Sequence, residues 1–274
     1  MRLLRLQGHC VHRQLVLEEA LLRNSDESWC VINDGVGAPA IVMGVSGVAS
    51  ELMDISRVVR EEVPVLRRFS GGGTVVLDES SIMASLIFAQ GQVRGLPLYP
   101  RPIMEWTAGF YRDALRRSHE GGSGSGGGGG GGGEEDAFVL HEQDYAFADR
   151  KFGGNAQSIV KGRWLHHTSF LWDYDPERMD LLTTPKKQPA YRSNRRHRDF
   201  LVTLREVLGE GARPRFLAAL EEALARQALD VVPATLSYAE SHLASGTLCR
   251  TERVHLGAED AQRQQLEGSL RDAA

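Results

Sequence analysis

The stretch Arg67-Arg68-Phe69-Ser70-Gly71-Gly72-Gly73-Thr74-Val75-Val76 constrains this chain more than any other. Two permanent positive charges lead into three consecutive glycines, and a β-branched run follows at once. Glycine reaches positive φ and leaves no Cβ between a ligand and the main-chain amides. Successive amides in such a turn form a concave anion nest, to which Arg67 or Arg68 can add a planar fork for phosphate or carboxylate. Taken alone, a glycine-rich hairpin carrying solvated arginines accounts for the stretch equally well.

The rest of the chain sets bounds. Its 274 residues, 42% apolar and 25% charged, suit one large domain or two modest ones with a well-buried core. A net charge of −4 gives no ground for nucleic-acid binding driven by bulk charge. Cys10, Cys30 and Cys249 are too few and too scattered for a disulfide framework or a zinc site, and point to a reducing compartment. No apolar run is long enough to span a membrane. Met1–Leu6 is basic and apolar but merges into a core helix at Leu15–Arg23, so no cleavable presequence is visible.

Periodicity gives a coarse order of elements. A helix is expected over Gln14–Arg23, strands over Ser28–Asn33 and Ala40–Val45 joined as a hairpin, and a helix over Glu51–Glu62. A short strand at Pro64–Arg68 delivers the chain to the glycines, and apolar runs follow at Thr74–Leu77 and Ile82–Phe88. Helices fit Pro102–Arg117 and Pro214–Ala228, and a strand at Trp164–Trp172 carries His166 and His167. Residues 121–133 are glycine broken only by Ser123 and Ser125, which reads as a disordered insertion within one domain. The expected division is a catalytic domain over residues 1–245 and a polar C-terminal tail over 246–274, helical or loose beyond Leu256.

Three motifs occur in order: Arg-Arg-x-Ser-Gly-Gly-Gly-x-Val, then Asp149-Arg150-Lys151-Phe152-Gly153-Gly154-Asn155-Ala156-Gln157, then His166-His167. In this combination, over roughly Glu18 to Asp230, the chain resembles the lipoate–protein ligase A family of the biotin/lipoate ligase superfamily. Its second motif is nearest to the plant and algal branch, with Ala148 where glycine is usual. The resemblance implies an α+β fold, a mixed sheet flanked by helices of the class II synthetase/biotin-ligase type. It implies two steps, using ATP with Mg²⁺ and lipoate as substrate: lipoyl-AMP forms, then an acceptor lysine takes the lipoyl group. Implied partners are lipoyl-domain proteins, namely 2-oxoacid dehydrogenase E2 subunits and the glycine-cleavage H protein, with no nucleic acid and no membrane. A mitochondrial or cytoplasmic location follows from such acceptors.

Carried over by motif position, Arg68, Gly71, Gly72, Gly73, Thr74, Val75 and Val76 would contact the nucleotide. Lys151 would lie between the acyl carbonyl and the phosphate. Taken alone Lys151 is a surface lysine beside Asp149 and Arg150; only the flanking motif makes it catalytic. A compact charge on a mobile stem there can follow the reacting oxygen through both steps and favour a neutral acceptor amine. Arg67, Ser70, Asp78, Gly153, Gly154, Asn155, Ala156, His166 and His167 would support the loops and the acyl group, and no metal-ligand set is assigned. Adjacent histidines on a strand point to opposite faces, so at most one meets the substrate, and orienting the Lys151 loop is the expected role. Arg195-Arg196-His197-Arg198 reads as a solvated helix face or a landing place for an acidic acceptor.

Departures qualify this. Leu77-Asp78 replaces the family's His-Asp, Ser80-Ser81 its Gly-Asn, and Thr168 the glycine after the histidine pair. The residues after Val232 are too few and too polar for the bacterial accessory domain, so that function is expected on a separate subunit or not at all. Two alternatives stay open: an ATP-independent octanoyl or lipoyl transferase with a cysteine nucleophile, and a non-catalytic homologue that binds lipoate or its adenylate.

Overall fold

The computed structural model describes residues 1–120, 138–184, 188–227, 230–243 and 249–272. The glycine tract at 121–133 and the expected boundary at 245/246 lie outside the described residues. The first part of the chain runs β1 (Arg2–His9), α1 (Val11–Asn24), β2 (Trp29–Val36), β3 (Ala40–Met43), α2 (Ala49–Leu52) and α3 (Ile55–Arg60). Then come β4 (Val65–Arg67), β5 (Val75–Leu77), β6 (Ile82–Ala89) and α4 (Pro100–Glu120). Next are β7 (Phe138–His141), β8 (Asp144–Phe147), β9 (Arg150–Val160), β10 (Arg163–Phe170), α5 (Pro176–Met179) and α6 (His197–Phe200). The chain closes with α7 (Leu204–Leu208), α8 (Arg213–Arg226), β11 (Val232–Ala234), α9 (Leu236–Glu240), β12 (Glu252–Val254) and α10 (Ala258–Asp272).

Among the described residues there are two mixed sheets flanked by helices, in keeping with the α+β expectation. The larger has strand order β11-β1-β2-β6-β10-β9-β8-β7, with β1 parallel to β11 and β2 and the remaining pairs antiparallel. The smaller has order β12-β4-β3-β5. The central strands β2 and β6 are almost continuously buried because helices cover both faces. Their alternation sorts the side chains. Cys30, Ile32, Ala84, Leu86, Phe88 and Trp164 pack against α4 and α8. Trp29, Val31, Ile87 and Leu165 pack against Leu17, Leu21 and Leu22 of α1. The start of α1 (Val11, Leu15) meets Val42, Leu66 and Leu77 of the small sheet and Met83 of the large one, and this junction places the site.

Four expectations need correction. Ser28–Asn33 and Ala40–Val45 form no hairpin: β1 and β6 already occupy both edges of β2, so β3 pairs instead with β4 and β5 in the other sheet. Residues Met1–Leu6 do not merge into the helix that follows: Arg2–His9 is a strand of its own with Leu3 and Leu4 buried, and α1 begins at Val11. The helix over Glu51–Glu62 is two helices, because Met53 is extended and bridges Leu182, and Asp54 then caps α3 by accepting from Arg57 N at 3.0 Å. The Lys151 segment is no loop but the eleven-residue strand β9. Its polar side chains and two glycines hide the alternation.

The C-terminal segment is tied to the body. The buried Glu19 carboxylate accepts from Arg250 N (2.9 Å) and Thr251 N (3.2 Å), and β12 pairs with β4. Gln264 of α10 donates to Ser50 O and Met53 O, both at 2.8 Å, bracing α2.

Candidate functional site

The glycine stretch links β4 to β5 and rims a cavity of about 650 Å³ between the two sheets, within the usual size of a small-molecule site. Its geometry rests on Arg68. That side chain is 3% exposed, and its guanidinium donates to Gly73 O (2.8 Å), Gly71 O (3.0 Å) and Val42 O (3.3 Å). Burial lowers its pKa to about 10, which leaves it charged at neutral pH. With these carbonyls held, no hydrogen bond donated by the amides of Gly71, Gly72, Gly73 or Thr74 is found among the described residues. The turn is exposed and its amides donate to nothing among the described residues, which leaves them open to an acceptor.

The three glycines are not equivalent. Gly72 has φ +115°, and a Cβ there would lie 2.6 Å from Arg68 Nη2 and 2.8 Å from Asn155 O, whereas Gly71 and Gly73 have open space. Gly154 serves the same closeness from β9, since its Cβ would meet Val75 Cγ1 at 3.0 Å. Gly153 packs behind the wall against Tyr145 and Thr168.

Lys151 lies across the cavity. Its Nζ is paired with Asp144 Oδ1 at 2.7 Å, and Tyr191 Oη donates to Asp144 Oδ2 at 2.9 Å. Asn155, Ala156, Thr74, Val75 and His167 also line the cavity. Asn155, Ala156 and Gly72 are shared with a neighbouring cavity of about 470 Å³ that includes Gly71.

The two histidines face opposite ways. His167 turns toward α1, with Nδ1 2.9 Å from Oε2 of fully buried Glu18 and Nε2 3.4 Å from Ser70 Oγ. Glu18 also accepts from Ser85 Oγ (2.6 Å) and Gln14 Nε2 (2.8 Å), so its buried oxygens are partnered. His166 turns toward α4 and bonds Tyr145, Gln157 and Thr168. Burial lowers its pKa to about 3, so it stays neutral. Neither histidine hydrogen-bonds Lys151; they hold Ser70 and Gln157 instead.

Other expected residues stand back. Arg67 pairs with Glu252 (3.1 Å) and donates to Gly47 O (2.7 Å), shaping the turn at the rim. Asp78 closes its own turn, accepting from Ser80 N at 3.0 Å, and Leu77 lines the cavity. Val76 packs into the small sheet's core. The Arg195–Arg198 run is neither a free basic patch nor a uniform helix face. Arg195 is held by Asp149 (2.8 Å), Arg198 by Asp180 (2.9 Å), and His197 lines the cavity.

Sequence reasoning missed Asp144, Glu18, Arg192 and His197. Asp144 had a readable signal, being an acid just across a turn from the lysine motif. Arg192 ends a three-residue 3-10 turn and His197, read from sequence only as part of a basic run, opens the four-residue α6, both too short to show a period.

The cavity divides chemically. Buried Leu15, Val42, Leu77 and Met83 give the lining an apolar part, while Lys151, Asp144, Glu142, Arg192 and His197 give it a polar one. An acyl chain suits the first and a phosphate the second. No cysteine lines it. Cys30 is buried with its thiol pushed far up by desolvation, and the Cys249 thiol is also raised, with burial the largest cause. Such thiols are poor nucleophiles.

The family model for the lipoyl protein ligase A/B catalytic domain matches residues 11–227. Inactive lipoate–protein ligase 2 of Plasmodium falciparum is 25% identical over 239 residues, covering 72% of this chain and 62% of that protein. The chain thus spans less than two thirds of that relative. A crystal structure of lipoate–protein ligase A bound with ATP aligns with TM-score 0.63 and 18% identity, covering 88% of this chain and 91% of its own. A structure from the two-part lipoate protein ligase and E2 lipoyl domain of Thermoplasma acidophilum aligns with TM-score 0.64 and 18% identity, covering 88% and 89%. At those identities the likeness to the solved structures is one of fold.

Proposed function

The chain belongs to the lipoyl protein ligase A/B catalytic-domain family, and from that premise we propose that it is an ATP-dependent lipoate–protein ligase. One observation carries this reading: Lys151 lines one cavity together with Gly72, Gly73 and Thr74, whose amides donate to nothing among the described residues, and with buried apolar side chains. In the first step a lipoate carboxylate oxygen attacks the α-phosphorus of ATP and pyrophosphate leaves. Charge builds on the α-phosphoryl oxygens, where the fixed amides of Gly72–Thr74 and the Lys151 ammonium lower the barrier. In the second step the neutral amine of an acceptor lysine attacks the acyl carbonyl. An amide forms, AMP leaves, and the amine's proton passes to solvent.

Asp144 is the resting partner of Lys151. The arriving phosphate competes for the ammonium, and Tyr191 keeps Asp144 from following it. Among the described residues no cluster of three His, Cys, Asp or Glu side chains is placed to hold a metal alone. Glu142 and Asp144 instead suit a Mg²⁺ carried in on the nucleotide, an ion commonly held by one or two carboxylates plus substrate phosphates. When bound it neutralises phosphate charge.

The acceptor would be the lipoyl domain of a 2-oxoacid dehydrogenase E2 subunit or the glycine-cleavage H protein. The pairing of the Thermoplasma ligase with an E2 lipoyl domain supports that class. A second reading, binding without turnover, is favoured by the name of the Plasmodium relative and by the ion pair that occupies Lys151. Incubation of a lipoyl domain with the protein, ATP, Mg²⁺ and lipoate separates the two. Lipoylation of the acceptor lysine, read by mass, supports the ligase; ATP-dependent acyl binding with no acceptor modification supports the binder.

A further inference from the structure

Arg192 presents a problem that the reaction above does not use. The side chain is 5% exposed and lines the cavity. Its Nε donates to Arg195 O at 3.1 Å and its plane lies over the Phe200 ring at 4.9 Å. Its Nη2 is buried and, among the described residues, has no hydrogen-bond partner. Buried guanidinium donors are rarely left unmet in a native fold, and an acceptor from a ligand is the simplest completion. The neighbouring carboxylate cannot supply it: Asp144 is engaged by Lys151 and Tyr191. Nor does Arg195 compete for a ligand, since Asp149 holds it.

His197 adds a second, independent sign. It lines the same wall and is half-buried. Its pKa is lowered to about 4, first by burial and then by Arg192, with Lys151 acting in the same direction and Asp180 against. Arg192, His197 and Lys151 thus sense one another across the cavity, and although Asp144 also acts on Arg192, it makes no hydrogen bond to Nη2.

We propose that Arg192, flanked by His197 and by Lys151, forms an anion subsite that takes the terminal phosphates of a nucleoside triphosphate, and the pyrophosphate it releases. This rests on the ligase reading for the identity of the nucleotide. With the α-phosphate at the glycine turn and Lys151, the chain of phosphates would run from there toward Arg192, which lines the same cavity. Arg192 offers the planar donor pair that suits phosphate oxygens, and Phe200 keeps that plane oriented. The neutral His197 ring contributes one N–H. The subsite would separate triphosphate from monophosphate, because AMP ends before reaching it.

The test is isothermal titration of the full chain with inorganic pyrophosphate, ATP, AMP and lipoate. It compares the wild type with Arg192→Gln and Arg192→Lys, each checked for native circular dichroism and melting. The expected result is a loss of tenfold or more in pyrophosphate and ATP affinity for Arg192→Gln, a smaller loss for Arg192→Lys, and AMP and lipoate affinities within twofold. Unchanged pyrophosphate affinity in a folded Arg192→Gln variant overturns the subsite, as does a loss confined to lipoate. A uniform loss for all four ligands in a folded variant overturns it too. The two readings fail separately. Arg192-dependent pyrophosphate binding without lipoate-dependent turnover leaves the subsite standing and removes the ligase. Turnover with unaltered ATP affinity in Arg192→Gln does the reverse.

Discussion

Replacing each glycine of the Gly71–Gly73 turn by alanine in turn dissects what the turn is for. At Gly72 the backbone sits at φ +115°, where an L side chain costs about 1–3 kcal/mol. The new methyl would also press on Asn155 O at 2.8 Å, a backbone atom of β9 that cannot swing aside. Arg68 Nη2, at 2.6 Å, is the end of a side chain, but three carbonyls pin it. Overpacking of that kind adds about 1–3 kcal/mol. The sum, about 2–6 kcal/mol, is a large share of the ~5–15 kcal/mol stability of a typical domain. Gly71→Ala and Gly73→Ala meet nothing within 4 Å and need no positive φ, so each should stay within about 0.5 kcal/mol of wild type. Urea unfolding at neutral pH, followed by tryptophan fluorescence, gives all three values. Calorimetric titration with ATP then separates stability from binding: Gly73→Ala adds a methyl in open space at a residue that lines the cavity, and should weaken ATP while unfolding normally. Equal midpoints for Gly72→Ala and wild type would refute the reasoning. So would an equal loss at all three positions, which would make the stretch an ordinary turn.

Further outcomes follow from single positions. Ala148 sits at φ +49° between β8 and β9, so Ala148→Gly should raise stability by about 1 kcal/mol in the same urea assay; a decrease would mean the turn carries no strain. His166 and His197 have pKa values lowered from 6.5 to about 3 and about 4, chiefly by burial. The unfolded chain therefore takes up protons below pH 6.5 while the fold does not. Stability is complete above pH 6.5 and falls as pH drops toward 4 for His197 and 3 for His166. His166 alone accounts for about 2 kcal/mol at pH 5. The slope of unfolding free energy between pH 7 and 5 should flatten in His166→Gln, and an unaltered slope would contradict the assignment. Cys30→Ser with Cys249→Ser should transfer lipoyl groups at the wild-type rate in an acceptor-mass assay; loss of transfer in a folded double variant would restore the cysteine-nucleophile reading.

What the sequence showed was local. Continuous apolar runs placed β2 and β6, because helices cover both faces of the sheet's centre, and the two-residue repeat of any strand put His166 and His167 of β10 on opposite faces. Alternation says nothing about which edges are free, so the pairing of β3 with β4 and β5 was invisible from Ala40–Val45. The strand character of β9 was hidden because its apolar partners lie in β8 and β10 rather than in its own sequence. Glu18, beside Glu19, reads as one more acid in the Leu15–Arg23 helix; only the fold brings His167, Gln14 and Ser85 to it. The glycine turn between two strands was legible. Why its amides are free was not, because the Arg68 bonds that hold its carbonyls depend on the path of β3.

Lipoate-dependent exchange between ATP and labelled pyrophosphate tests the central claim most directly. It requires the adenylation step and nothing after it. Run with lipoate, octanoate and biotin side by side, the wild type should exchange with lipoate or octanoate and not with biotin. Lys151→Ala should abolish exchange while keeping native circular dichroism and melting. Exchange that proceeds at the wild-type rate in Lys151→Ala, or no exchange with any acid in the wild type, would contradict the account.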